Sequence, residues 1–364
     1  MKKIVFVIAD LGAGGAQRVM ALLANALAAA DLYEITVLST AKAADSFYPY
    51  EGRIHVQALD IESAGGRFWA GVAVNIKRVR ALRRFFKAQQ PDVVISFLAE
   101  TNALVLLGKA GLPVPVIISE RSDPYFYPAS RLWRALRALT YRGADLLVCQ
   151  TRYAAGFFGS AVRTAVIPNP VFAVTATQST PPVSGPYVLG VGRLSAEKGF
   201  DVLIKAHRQA LDHVPDLKLV LVGDGPERAA LVALAQQCGS ASQVVFAGAQ
   251  KDMTPYFTHA RAFILPSQFE GVPNALLEAM AHGVPSIVTP GFRAAAEIIT
   301  SGHNGILLDR LALAEIAGHI VDLCQIAHKR QAMGAAAMSG LHNFEPERVF
   351  AQWRAVIEAQ TGSA

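Results

Sequence analysis

The chain has 364 residues, 52% of them hydrophobic and 17% charged, with a formal net charge of +6. That length exceeds what one hydrophobic core usually serves, so two domains are expected, and the composition excludes a disordered or fibrous chain. No apolar run reads as a bilayer span: the best stretch, Asn102 to Ser119, carries Lys109 and two prolines.

Read in chain order, Lys3–Ala9 begins like a signal peptide, but Asp10 interrupts the apolar run, so it is predicted to be a buried strand. A glycine-rich turn follows, then a helix over Gln17–Ala30 and a strand at Tyr33–Ser39. A basic helix is predicted over Val74–Gln89, strands at Val93–Phe97 and Val116–Ser119, a helix over Arg131–Tyr141 and a strand at Asp145–Cys149. The stretch Ala173–Pro186 is rich in Thr, Ser and Pro without periodicity and reads as a linker. Alternation then restarts, with strands at Tyr187–Val191, Leu217–Val222, Val244–Ala247, Ala262–Leu265 and Ser286–Val288 and a last helix over about Pro346–Gln360. Strands alternating with helices predict an α/β chain of two doubly wound parallel sheets, over residues 1–172 and 187–344 with 173–186 between them. Ligands then belong at the carboxyl ends of the strands.

Charge is unevenly placed. Residues 1–175 hold 20 Lys+Arg against 12 Asp+Glu, and the remainder 14 against 16, so the first half calls for an anionic partner. Lys77, Arg78, Arg80, Arg83, Arg84 and Lys87 are interleaved with apolar residues, and Arg131, Arg134 and Arg137 recur beside Leu132, Trp133 and Leu136. Such helices suit either an anionic bilayer surface or ordinary packing with a solvated basic face. No DNA- or RNA-binding module is recognisable, so nucleic acid is not expected. Cys149, Cys238 and Cys324 lack metal-like spacing and read as reduced cysteines of a cytosolic protein.

Three motifs carry chemistry. Gly12-Ala13-Gly14-Gly15-Ala16-Gln17-Arg18 follows the first strand, but the third glycine of a dinucleotide fingerprint would fall at Gln17, and no acid closes the second strand. Gly192-Arg193-Leu194-Ser195-Ala196-Glu197-Lys198-Gly199 places two cations at a strand end, where they would neutralise a diphosphate. In Phe263–Pro290 an apolar strand, a loop, a helix and a second strand carry Glu270 and Glu278, with Pro273 suited to the helix's first turn and Gly283 to its end. A helix start suits a phosphate, and carboxylates suit hydroxyl-rich groups on either side of it, which is the layout of a sugar nucleotide.

Together these motifs resemble the retaining family-4 glycosyltransferases of the GT-B fold, and the resemblance covers essentially the whole chain. It implies two Rossmann-like domains facing a central cleft, with a C-terminal helix at about 345–364 crossing back to the first. It also implies a metal-independent transfer without a cofactor, from a nucleotide-sugar co-substrate expected to be a UDP-sugar. By resemblance Arg193 and Lys198 bind the diphosphate with the helix start around Asn274 and Ala275. Glu270 takes the sugar hydroxyls, helped by the backbone at Gly271 and Val272, and Glu278 takes the ribose. Gly14 and Gly15 let backbone approach the donor phosphate. Many members carry a histidine near Arg121; this chain has Arg121 there, which suits either the phosphate of an anionic acceptor, oriented by Glu120, or a loop ion pair. Within the family the chain is most similar to transferases that extend undecaprenyl-diphosphate-linked glycans, one group of which adds N-acetylgalactosamine. That implies a lipid-linked acceptor and a peripheral position on the inner face of the cytoplasmic membrane. A sugar-nucleotide epimerase or hydrolase and a non-catalytic sugar-binding protein stay open as alternatives, as does the oligomeric state.

Overall fold

Strands such as Ile4–Ile8 (IVFVI) have no polar face, and such runs are stable only in a sheet covered by helices on both sides. The computed structural model, which describes residues 1–41, 45–62, 68–126, 130–172 and 180–362, places them in two such sheets. In order, the first half forms β1 (Lys2–Ile8), α1 (Gly15–Ala28), β2 (Tyr33–Ser39), β3 (His55–Ala58), α2 (Phe68–Gln89), β4 (Val93–Phe97) and α3 (Ala99–Lys109). It continues with β5 (Val116–Ser119), α4 (Arg131–Thr140), β6 (Leu146–Cys149), α5 (Arg152–Phe158) and β7 (Thr164–Val166). The second half forms β8 (Tyr187–Val191), α6 (Phe200–Ala210), β9 (Lys218–Val222), α7 (Arg228–Gln237), β10 (Val244–Gly248), α8 (Thr254–Thr258), β11 (Ala262–Leu265) and α9 (Asn274–Ala281). It closes with β12 (Ser286–Val288), β13 (Ile306–Leu307), α10 (Leu313–Gln325), α11 (Ala327–Ser339) and α12 (Pro346–Thr361).

Two compact units result: Met1–Pro170 with the segment from Pro346 onward, and Val171–Glu345. The first boundary falls two residues before the expected end of that domain. Of the expected linker, residues 173–179 lie outside the described residues, and 180–186 group with the second unit.

The first sheet has seven parallel strands in the order β3-β2-β1-β4-β5-β6-β7. Ile4, Phe6 and Ile8 face a core shared with Val19, Met20 and Leu23 of α1 and with Val349, Trp353 and Ile357 of α12. Val5 and Val7 point the other way, against Leu82 and Phe86 of α2 and Leu104 and Val105 of α3. Trp353 is fully buried and stacks on Phe97 with ring centroids 6.1 Å apart, so α12 is a working layer of the first unit.

The second sheet repeats the winding with six parallel strands, β10-β9-β8-β11-β12-β13. Its order reverses between β8 and β11, and in open α/β sheets the crevice at such a switch point, beyond the strands' carboxyl ends, is where ligands bind. The segments leaving those ends are Gly192–Gly199 and Pro266–Pro273, two of the three motifs singled out above.

Candidate active site

β8 and β11 are adjacent parallel strands, so residues 72 positions apart in sequence emerge side by side. Lys198 closes a single 3-10 turn, Ala196–Lys198, and Gly199 follows with φ +65°. A Cβ on Gly199 would collide with the Pro266 carbonyl, so only glycine lets the two loops lie this close. Gln268 fastens them further: its N–H donates to Glu197 O at 2.8 Å and its Nε2 to Ala196 O at 3.2 Å.

This packing brings Lys198 Nζ to 2.6 Å from Glu270 Oε1, with the side chains 24% and 12% exposed. Ser267 Oγ donates to the same oxygen, also at 2.6 Å. Glu270 is thus a charge-assisted acceptor held from two sides at the mouth of α9. Arg193 is exposed on the same turn. Burial pushes the Glu197 carboxyl up, but the Ser195 hydroxyl, its own backbone N–H and the charges of Lys198 and Arg193 together hold it below its ordinary value.

Val272 is buried, while Gly271, Asn274, Ala275 and Glu278 are partly exposed along the loop and first turns of α9. Pro273 is the N-cap of this helix, one position before the expected first-turn place, and its own side chain makes no capping hydrogen bond. The amides of its first turn lack intrahelical acceptors. Gly283, at φ +66°, ends the helix as expected.

In the first unit, Gly14 is the extended N-cap of α1 and Gly15 its first residue, two positions ahead of the predicted start. Asp10 Oδ1 organises this turn, accepting from Gly12 N at 2.9 Å and Gln17 Nε2 at 3.0 Å.

Glu120 and Arg121, for which an acceptor-facing role is expected, directly follow β5 and make side-chain contacts within the first unit. Glu120 is 2% exposed and its Oε2 accepts from Tyr141 Oη at 3.0 Å; burial pushes its carboxyl up to about 7. Arg121 donates from Nη1 to Asn169 Oδ1 at 2.7 Å, with Cζ 4.7 Å from the Phe97 ring centroid and 5.8 Å from that of Trp353. Burial, outweighing the charges near it, brings the Arg121 pKa down to about 9. These contacts are internal, and they tie α12 to the end of β4. Arg137, expected on a solvated basic face with Arg131 and Arg134, is buried as well: Nη2 donates to Pro124 O at 3.1 Å and Cζ lies 4.8 Å from the Phe157 ring. Its side chain points inward toward Pro124 and α5, while Arg131, Leu132, Arg134 and Leu139 are exposed.

Two residues of the site had no sequence signal strong enough to single them out: Ser267 and Thr289, each 2% exposed. Their clue is position alone, as hydroxyls just past the ends of apolar strands.

Family models match both halves, "Glycosyl transferase 4-like domain" over residues 14–170 and "Glycosyl transferases group 1" over 175–339. Over 322 residues the chain is 31% identical to a Campylobacter jejuni α-1,4-N-acetyl-D-galactosaminyltransferase named for the acceptor GalNAc-α-(1→4)-GalNAc-α-(1→3)-diNAcBac-PP-undecaprenol, covering 86% of this chain and 88% of that one. The chain belongs to the family-4 glycosyltransferases. As a family-4 glycosyltransferase it shares the GT-B fold with sucrose-phosphate synthase from Thermosynechococcus elongatus, at a TM-score of 0.86, 19% identity and full coverage of both chains. It likewise resembles Anabaena HepE, solved in complex with UDP and glucose, at a TM-score of 0.80 and 20% identity over 99% of this chain and 100% of the other. At those identities the two structures speak for the fold.

Proposed function

We propose that this glycosyltransferase moves a sugar, with retention at the anomeric carbon, from a UDP-sugar to a lipid-diphosphate-linked glycan in surface-polysaccharide or glycoprotein-glycan assembly. The observation that carries the reading is the Lys198–Glu270 pair at 2.6 Å, set at the switch point beside the first turn of α9. A carboxylate fixed there accepts hydrogen bonds from sugar hydroxyls, and Glu278, one turn into α9, takes the ribose diol. Lys198 keeps donor capacity beyond Glu270, because an ammonium has three N–H groups, and with Arg193 and the α9 amides it holds the diphosphate. Fixed positive charge at that point stabilises the leaving group as its charge grows. The C1–O bond to the diphosphate breaks as the acceptor oxygen bonds C1 on the same face, and the acceptor's proton passes to a leaving phosphate oxygen. Metal and protein base are then unnecessary.

The acceptor class is supported by the undecaprenol-linked acceptor named for the Campylobacter relative. Leu132 and Leu139, 45% and 72% exposed beside Arg131 and Arg134, suit an anionic membrane surface on the cytoplasmic side. To test the reading, the protein is incubated with a panel of UDP- and GDP-sugars, with and without bacterial lipid extract, and released nucleoside diphosphate is measured. Release from one UDP-sugar that depends on lipid is the expected result; equal release without lipid, or none from any donor, sinks it.

A further inference from the structure

The loop that carries Glu270 is fixed from its far side by the other end of the same Phe263–Pro290 stretch. Thr289, one residue past β12, has its hydroxyl proton shared between Leu265 O at 3.1 Å and Ser267 O at 3.2 Å, and its N–H also donates to Leu265 O at 3.1 Å. Two residues on, a Cβ at Gly291 would collide with the Ser267 carbonyl oxygen, so this segment lies directly against Ser267. Ser267 in turn donates to Glu270 Oε1, the oxygen already paired with Lys198.

We propose that Ser267 and Thr289 are positioning residues for Glu270. Thr289 fixes the Ser267 backbone, and Ser267 with Lys198 occupies Oε1, leaving Oε2 for the donor sugar. The physical argument is rotational. A carboxylate held by one donor swings about its last side-chain torsion, whereas two donors converging on one oxygen from different loops fix its plane. Neither hydroxyl has a packing reason to be polar: a buried valine would fill the Thr289 site, and only the two carbonyl contacts require the oxygen. The inference rests on the reading that Glu270 binds the donor.

The test uses the whole protein and the donor selected by the panel, comparing wild type with Ser267→Ala, Thr289→Val, Thr289→Ser, Glu270→Ala and the Ser267→Ala/Glu270→Ala double variant. Misplacing a positioned group by about 1 Å costs on the order of 100-fold. Ser267→Ala and Thr289→Val are therefore expected to lower kcat roughly 10- to 100-fold with donor KM within about twofold, and Thr289→Ser to restore it. In the Glu270→Ala background, Ser267→Ala should cost nothing further. Wild-type kcat in Ser267→Ala, or an equal loss in both backgrounds, overturns the inference while leaving the transferase reading intact. Wild-type turnover by Glu270→Ala overturns the site assignment itself. A crystal structure of Ser267→Ala gives a readout independent of turnover and of whether Thr289→Val folds: the Glu270 carboxylate must rotate, and an unmoved carboxylate refutes the positioning role.

Discussion

Replacing Trp353 with alanine should destabilise the first unit while sparing the second. The indole is fully buried and stacked on Phe97 at a 20° interplanar angle, in a core that also holds Phe6, Ile95 and Val349. Truncation of a buried Trp to Ala costs about 3–5 kcal/mol. The unit holds about 190 residues, a size at which each kcal/mol lowers Tm by about 2–4 °C, so the melting of this unit should fall by roughly 10 °C. Hydrogen exchange read by mass spectrometry separates the units: protection should drop in β1, β2 and β4 and stay near wild type in β8, β9 and β11. Trp353→Phe sharpens the test, because Trp353 Nε1 has no hydrogen-bond partner among the described residues and the stack survives; its cost should stay below about 1.5 kcal/mol. Equal loss of protection in both units, or a Tm change under about 2 °C for the alanine variant, would refute the assignment of α12 to the first core.

Stability should also respond to pH through Glu120. Its folded pKa lies near 7, above the ordinary carboxyl value of 4.5, so the native state holds a proton the unfolded chain has already lost. Its contribution is present at low pH and is lost as pH rises from about 4.5 through 7, with no further change above. Glu120→Gln, which keeps an acceptor for Tyr141, should flatten that slope in denaturant titrations between pH 5 and 8; an unchanged slope would rule Glu120 out as its source. Burial pushes the Cys149 thiol up to about 12, so alkylation at pH 8 should miss Cys149 in the native protein and reach it after denaturation, as read by peptide mass. Finally, Leu132→Glu with Leu139→Glu should abolish co-sedimentation with phosphatidylglycerol vesicles and leave Tm within a degree or two, since both side chains are exposed; retained sedimentation would move the membrane surface elsewhere.

The sequence was legible where one residue pattern decides one structure. Val93–Phe97, Val116–Ser119, Tyr187–Val191, Ala262–Leu265 and Ser286–Val288 match residue for residue, because each is a short, largely apolar run without a helical period. β3, β7 and β13 escaped notice because they are edge strands of four, three and two residues, too short for any period. α3 was missed for the opposite reason: nearly all of its side chains are buried, so no polar face marks a helical period. At the site, Arg193, Lys198 and Glu270 stand out as charges at strand ends, yet the contact between Lys198 and Glu270 exists only because β8 and β11 are neighbours. The burial of Glu120 and Arg137 and the ring contacts of Arg121 could not be read from spacing, since a charge beside aromatics looks the same whether the rings cover it or lie beneath it. Ser267 and Thr289 are ordinary hydroxyls until the fold brings their strand ends together.

Because α12 belongs to the first core but follows the whole second unit, the order of synthesis and the order of assembly disagree. Residues 1–170 leave the ribosome long before residue 346 is made. At about 5–20 residues per second, Phe97 and its neighbours wait on the order of ten seconds or more without the helix that covers them. During that interval the sheet's apolar face is open to other chains. Removing residues from 346 onward should therefore show itself as poor yield and aggregation of newly made protein, even though Arg193, Lys198 and Glu270 are untouched.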